Sequence, residues 1–125
     1  MPHPPQEFHH KMAVNNKKLG KEGEDKAVKY LKKNGWNIVE RNYKNPFGEI
    51  DIIAKREDVV AFIEVKTRTS DLYGVPSEAV TNTRKQRYIM GAKHFFAGCQ
   101  TDFTIRFDVI EIYCGELNHI ENAFY

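Results

Sequence analysis

Three charged residues lie inside two strongly apolar segments of the sequence. Asp51 lies in an isoleucine-rich segment, and Glu64 and Lys66 lie in a second segment rich in β-branched and aromatic residues. Burying an unpaired charge is costly, so charges in such segments need partners. Alternate residues of a strand share a face, which places Glu64 and Lys66 on one side of their strand. Two carboxylates beside an ammonium group suit the binding of a divalent cation and the stabilisation of a charged phosphoryl group.

The two segments are predicted to pair as an antiparallel hairpin, because only a few residues separate them. A two-residue turn at Glu57-Asp58 would place Asp51 opposite Glu64. Glu49 would then lie opposite Lys66. Directly opposed residues share a face, with Cβ atoms about 4.5–5.5 Å apart. The register therefore predicts that the carboxylates and the ammonium group converge on one patch, and a slip of one residue would separate them.

Two carboxylates at that distance repel each other unless a proton or a cation lies between them. Mg²⁺ or Mn²⁺ suits such oxygen ligands and would polarise a phosphoryl oxygen and activate water. The alternative is an ion pair between Lys66 and a carboxylate on a solvated sheet face. Glu24 borders the buried stripe of the first predicted helix and is a third carboxylate able to approach the patch. Its alternative role is that of an acid favoured by the helix dipole.

Hydrophobic periodicity predicts the elements that must position these residues. The first helix is predicted over 19–34 and ends at Gly35. The second helical region is predicted over 76–97, with a buried stripe of Ile89, Ala92, Phe95 and Phe96 that Lys85 and Tyr88 extend. A loop is predicted over 69–75. Strands are predicted over 36–43, 48–55, 59–67 and 104–113, with a weaker extended segment over 117–124. The predicted class is α/β, in the order αβββαββ.

The composition predicts one globular domain. The chain has 125 residues, of which 41% are hydrophobic and 29% are charged, and its mean hydropathy is −0.60. No apolar run approaches the roughly 18–20 residues needed to cross a bilayer. Cys99 and Cys114 form no CxxC pair, which argues against a disulfide framework and a zinc knuckle. We therefore expect a cytoplasmic protein with no membrane contact, a flexible N-terminal tail over 1–18 and a single domain over 19–125.

The net charge is only +2, but the charges are unevenly distributed. Basic residues predominate over 11–33 and over 81–106, whereas the segment 107–125 contains acidic residues and no lysine or arginine. This asymmetry is typical of a protein that turns one basic face toward a polyanion. The alternative is a set of solvated helix faces. The candidate phosphate contacts are Arg68, Arg84, Lys85 and Arg87.

The extended pattern resembles a known family. Glu49-Ile-Asp51, followed by a hairpin and Glu64-Val-Lys66, resembles the Asp…Glu-x-Lys signature of the restriction-endonuclease-like superfamily. The wider set of segments resembles the YraN-like family of small bacterial proteins over residues 19–124. Those segments are Gly20–Ala27, Gly48–Ile53, Glu64–Arg68, Lys85-Gln86 and Arg106–Val109.

The resemblance implies a mixed β-sheet flanked by α-helices, related to the Holliday junction resolvases. It implies that Glu24, Asp51 and Glu64 bind Mg²⁺ or Mn²⁺, that the Val65 carbonyl completes the metal shell, and that Lys66 is the catalytic lysine. The implied activity is metal-dependent endonuclease cleavage of DNA, at branched or damaged sites. A non-catalytic nucleic-acid-binding module of the same fold is the alternative function.

Two further expectations follow from the same resemblance. Related nucleases often carry a polar residue on the helix after the lysine strand, which makes Gln86 a candidate nucleic-acid contact. The alternative for Gln86 is a solvated helix glutamine. Resolvase-like folds often dimerise to cut two strands, so a homodimer is expected.

Overall fold

The computed structural model describes residues 6–68, 82–97, 99 and 102–124, with side chains from Leu19 onward. Helices and strands follow one another in the predicted order αβββαββ, which confirms the predicted α/β class. The elements are α1 (Gln6–Lys33), β1 (Asn37–Asn45), β2 (Gly48–Arg56), β3 (Val59–Arg68), α2 (Asn82–Phe95), β4 (Thr104–Tyr113) and β5 (Glu116–Ile120).

The five strands form one mixed sheet in the sequential order β1-β2-β3-β4-β5. Short turns join neighbouring strands as antiparallel pairs, except that β3 and β4 are parallel. Parallel neighbours need a crossover connection, and α2 lies in the segment that connects β3 to β4. The central strand β3 therefore pairs with an antiparallel neighbour on one side and a parallel neighbour on the other.

The two helices contribute to hydrophobic clusters on opposite faces of the sheet. Buried residues of α1, among them Ala27 and Leu31, join a cluster with Ile52 and Ile63. Tyr88 and Ala92 of α2 join a second cluster that contains Ile53, Phe62 and Phe107. Because both faces of the central strands are covered, β3 is apolar along most of its length rather than alternating. Among the charged residues of β2 and β3, this burial encloses Glu64 and leaves Asp51 and Lys66 half-buried.

The ends of several elements differ from the prediction. Helix α1 begins at Gln6 rather than at Leu19, because no proline or glycine interrupts the chain between Pro5 and Gly20. It ends as predicted, with Gly35 at a φ of 86°. Strand β5 ends at Ile120, earlier than predicted. The flexibility of the tail over 1–18 stays a prediction, and residues 1–5 lie outside the described residues.

The predicted loop over 69–75 and the predicted start of the second helical region also lie outside the described residues. Within the described part, α2 covers Asn82–Phe95 and carries the predicted stripe. Ala92 is buried, and Ile89, Phe95 and Phe96 pack against the same cluster.

Candidate functional site

The hairpin between β2 and β3 has the predicted turn. Arg56 pairs with Val59 across Glu57-Asp58, and the ladder continues to Ile52 opposite Ile63. The next position along each strand is occupied by Asp51 and Glu64. The predicted approach of these two carboxylates therefore follows from the observed register.

The ladder between β2 and β3 stops at this point. It includes neither of the predicted opposed pairs, Asp51 with Glu64 and Glu49 with Lys66, although Asp51 and Glu64 occupy the first positions beyond it. On their other sides, Glu49 pairs with Lys44 of β1 and Lys66 pairs with Glu111 of β4. Beyond Ile52 and Ile63 the two strands no longer pair with each other, whereas each stays paired with its other neighbour, β1 or β4.

Side chains take over the backbone hydrogen bonds where the strands diverge. The Val65 N–H donates to Asp51 Oδ2 at 2.8 Å. The Tyr88 hydroxyl accepts the Asp51 N–H at 3.3 Å and lies 3.5 Å from the Ile63 carbonyl oxygen, to which it donates. Tyr88 comes from α2 and is buried, so helix packing determines where the strands separate. The sequence predicts that Tyr88 extends the buried stripe of this helix, but its contact with Asp51 was not predicted.

Glu64 is almost completely enclosed, with only 1% of the residue exposed. Its Oε1 lies 2.5 Å from Arg84 Nε, which gives the buried carboxylate a positively charged partner. Its Oε2 is buried without a hydrogen-bond partner among the described residues. A buried oxygen in this state is costly unless a donor or a cation satisfies it. The site therefore fits a cation that prefers carboxylate oxygen.

The same surroundings shift the pKa of Asp51. Its pKa is raised to about 6, chiefly by burial and also by the negative charges of Glu64 and Glu24, whereas the Val65 N–H and Arg84 oppose the rise. Glu64 and Glu24 therefore both lie within electrostatic reach of Asp51. A cation bound between them would lower the pKa of Asp51 and keep it ionised.

Glu24 lies beside this pair but is engaged elsewhere. Its Oε1 accepts hydrogen bonds from Arg41 Nε and Asn42 Nδ2, each at 3.0 Å. Arg41 also forms an ion pair with Asp25 at 2.6 Å. Across the described residues, no group of three histidine, cysteine or acidic residues is close enough to hold a metal ion as it stands. The structure therefore joins Asp51 to Glu64 and leaves Glu24 in a neighbouring ion-pair network.

Lys66 and Val65 lie at the next positions of β3. Lys66 is half-buried and lies in register beside Glu111 of β4. Burial raises the pKa of Glu111, and the positive charges of Lys66 and Arg68 oppose that rise. Val65 pairs with β4 and supplies the N–H that Asp51 accepts. Glu111 was not predicted as part of the site, although an acidic residue inside the apolar run of β4 is a sign that a partner lies nearby.

Comparisons with known proteins identify the family. The model of the uncharacterised protein family UPF0102 matches residues 23–112. The chain belongs to the UPF0102 family. A UPF0102 protein from Thermodesulfovibrio yellowstonii is 45% identical over 86% of this chain and 96% of its own length. Relatives from Caldicellulosiruptor saccharolyticus and Clostridioides difficile are 44% and 46% identical over 89% of this chain and 100% of their own lengths.

These matches confirm the YraN-like resemblance. The region matched by the UPF0102 model contains Glu24, Asp51, Glu64 and Lys66. In the part of the chain that the structure describes, no helix is long and apolar enough to cross a membrane.

Of the residues predicted to contact nucleic acid in this UPF0102 chain, Arg84 contacts a carboxylate of the site. Arg68 is half-buried near the end of β3, where it acts on Glu111. Arg84 is exposed and contacts Glu64, and Lys85 beside it is half-buried. Gln86 and Arg87 are exposed and line a shallow cleft on the outer side of α2. The first turns of α2 therefore connect the carboxylates to the surface.

Proposed function

We propose that the protein is a Mg²⁺- or Mn²⁺-dependent endonuclease that hydrolyses DNA phosphodiester bonds. The observation that carries the proposal is the approach of the buried Glu64 carboxylate and the half-buried Asp51 carboxylate where the pairing of β2 with β3 ends. Glu64 keeps one buried oxygen without a partner in the described part of the chain, and Asp51 has a raised pKa. A cation satisfies both conditions at once. The resemblance to the Asp…Glu-x-Lys signature supports the same assignment.

Each residue of the site would have a role that follows from its chemistry. Asp51, Glu64 and the Val65 carbonyl would hold the metal, and Glu24 would act through a bound water because its carboxylate already accepts two hydrogen bonds. The metal, when bound, polarises a phosphoryl oxygen and lowers the pKa of its water. The Lys66 ammonium would orient the attacking water or stabilise the developing negative charge.

Arg84 has a distinct part in this proposal. Its guanidinium supplies the positive charge that buried Glu64 requires, yet most of the Arg84 side chain is exposed. Arginine is well suited to bidentate contact with phosphate. Arg84 would therefore exchange its contact with Glu64 for one with a phosphate when metal and DNA bind together.

One observation favours a second candidate function, a non-catalytic nucleic-acid-binding module. The ion pair between Arg84 and Glu64 compensates the buried charge without a metal. In that case the basic surface would bind DNA and the carboxylates would only stabilise the fold. DNA binding without metal-dependent cleavage supports this candidate.

The test is cleavage of a panel of single-stranded, duplex, flapped and four-way DNA in the presence of Mg²⁺ or Mn²⁺. We expect the wild type to cut at least one branched or single-strand-containing substrate, and EDTA to stop the reaction. Asp51→Asn should lower the rate by at least about 10²-fold, since one negatively charged ligand is lost. The matched control is Asp102→Asn, which removes an exposed carboxylate and should leave the rate unchanged.

Metal-binding isotherms separate the roles of the site residues. Asp51→Asn and Glu64→Gln should each weaken Mn²⁺ binding, because each removes a negatively charged ligand. Lys66→Ala should lower turnover much more than metal affinity, because the ammonium group is not a ligand. Equal metal affinity in the wild type and Asp51→Asn, or cleavage that survives Asp51→Asn, would refute the proposed site.

A further inference from the structure

Phe47 is an exposed aromatic residue at the tip of the hairpin between β1 and β2. It is 38% exposed, although large apolar side chains are usually enclosed. Its N–H donates to Asn45 Oδ1 at 2.9 Å, a contact that fixes the turn in which it lies. Phe47 is therefore presented to solvent by a defined turn rather than by a loose end of the chain.

A cleft lies between this tip and the outer side of α2. Its lining residues are Phe47, Thr83, Gln86, Arg87 and Met90, of which Met90 is 36% exposed. None of these residues is acidic. The side chain of Arg87 lies against the hairpin, with its Cδ 3.8 Å from the position of a Cβ at Gly48. An aromatic ring, a methionine and a guanidinium group therefore share one opening.

The cleft begins one residue along the chain from Arg84, the partner of Glu64. Thr83, Arg87 and Met90 follow one another at spacings of three and four residues and so share one side of α2. Arg84, which contacts Glu64, lies next to Thr83 on the same helix turn. Phe47 precedes Asp51 by four residues, which corresponds to about 13 Å along an extended strand. The cleft is therefore near enough to the carboxylates for one bound strand to reach both.

We propose that the cleft binds an unpaired DNA base, which stacks on Phe47 while Arg87 contacts a neighbouring phosphate. This inference rests on the proposed nuclease function and assigns its substrate class: DNA with a single-stranded stretch next to the bond that is cut. The faces of a base inside an intact duplex are covered by its neighbours. A protein ring stacks only on a base that is unpaired or displaced. An aromatic ring and a cation in one opening fit such a base and its phosphate.

The substitution Phe47→Trp places a fluorescent side chain in the cleft. The chain has one tryptophan, Trp36, which is 3% exposed, so its emission responds little to a surface ligand. We expect a short single-stranded oligonucleotide to quench the added tryptophan, whereas a blunt duplex of the same length leaves it unchanged. The measurement is made in EDTA, so that cleavage plays no part. The matched control is Phe103→Trp, at an exposed aromatic position (39%) beside Lys55, toward the opposite end of β2.

Affinity provides the second readout. Phe47→Ala should weaken binding of the single strand roughly 5- to 150-fold, the factor that corresponds to loss of one stacked base. It should leave duplex affinity unchanged, and Phe103→Ala should leave both unchanged. Phe47 and Phe103 are exposed, and matching thermal melts check that each variant is folded. Equal single-strand affinity in the wild type and Phe47→Ala, or equal quenching by duplex and single strand, overturns the inference.

The outcomes distinguish this inference from the proposed function. If the wild type cuts DNA with metal but Phe47→Ala binds single strands normally, the nuclease stands and the stacking site fails. If Phe47-dependent binding of single strands is found without any metal-dependent cleavage, the stacking site stands and the nuclease fails. If no oligonucleotide binds, both fail.

Discussion

Asp51→Asn should stabilise the metal-free protein, although it should abolish the proposed activity. Burial and the neighbouring negative charges raise the pKa of Asp51 from 3.8 to about 6, so the folded state resists ionisation of this carboxyl group. An asparagine carries no charge at any pH. Its side-chain oxygen can still accept the hydrogen bond from the Val65 N–H. The substitution therefore removes the cost of a buried charge and keeps the contact that positions the side chain.

The magnitude follows from the two pKa values. An acid whose pKa is raised on folding binds more protons in the folded state, so stability falls as the pH rises between the unfolded and folded values and stays low above both. At about 1.36 kcal/mol per pKa unit, the cost is about 3 kcal/mol near pH 7.5 and only about 0.6 kcal/mol near pH 4. Asp51→Asn should therefore raise the free energy of unfolding by about 2–3 kcal/mol near neutral pH and hardly change it at pH 4.

Urea unfolding in EDTA at these two pH values measures the effect. Asp102→Asn serves as the control, because it makes the same chemical change at an exposed position. Added Mn²⁺ should stabilise the wild type more than Asp51→Asn, because binding to the folded state alone adds to stability. A stability gain that is equal at both pH values, or a loss at neutral pH, would show that the surroundings of Asp51 do not penalise its charge.

Gly23→Ala should destabilise the fold by about 1–3 kcal/mol, because the added Cβ would meet Thr67 Oγ1 in the packing of α1 on β3. Gly20→Ala on the same helix has open space and should instead stabilise it by about 0.5–1 kcal/mol, and chemical denaturation of the two variants measures both changes. Burial alone would raise the pKa of Asp108, but the hydrogen bonds that its carboxylate accepts outweigh burial and lower the pKa. The ionised Asp108 carboxylate therefore stabilises the fold fully above its ordinary pKa of 3.8, and this stabilisation is lost as the pH falls through the lowered pKa. Asp108→Asn should cost about 3–5 kcal/mol near neutral pH in thermal or urea unfolding, because it leaves the largely buried Arg106 guanidinium with only the exposed Glu121 carboxylate, 3.6 Å away, and an unchanged stability would contradict this. Replacing the basic residues at 84, 85 and 87 together should weaken DNA binding and flatten its dependence on salt, and an unchanged slope in a salt titration would remove this segment from the interface.

The hairpin of the site could be predicted from the sequence because its determinants are local. A short polar turn between two apolar strands fixes the register, and this places Asp51 near Glu64. The end of the ladder could not be predicted in the same way. It depends on Tyr88, which is 37 positions from Asp51 and reaches it only through the packing of α2. The predicted pairings of Asp51 with Glu64 and of Glu49 with Lys66 are absent from the ladder for this reason.

The partners of the charged residues could not be predicted from the local sequence either. Periodicity placed Glu24 at the border of the buried stripe, but not beside Arg41 of β1. The positive charge of the segment around Arg84 indicates a phosphate contact, but the ion pair between Arg84 and Glu64 depends on how α2 crosses the sheet. Strand pairing with β4 likewise determines that Glu111 lies beside Lys66.

Tyr88 of α2 contacts both strands that carry the carboxylates of the site. Burial, together with the negative charges of Asp51 and Glu64, raises the pKa of Tyr88 well above 10, so its hydroxyl stays protonated and remains a donor. That hydroxyl accepts the Asp51 N–H and donates to the Ile63 carbonyl, which lets β2 and β3 separate without leaving either group unsatisfied. The helix that holds the strands apart is the same helix that carries Arg84 and the outer cleft. The packing of α2 on the sheet therefore places both the hydroxyl that lies between β2 and β3 and the basic residues near the carboxylates.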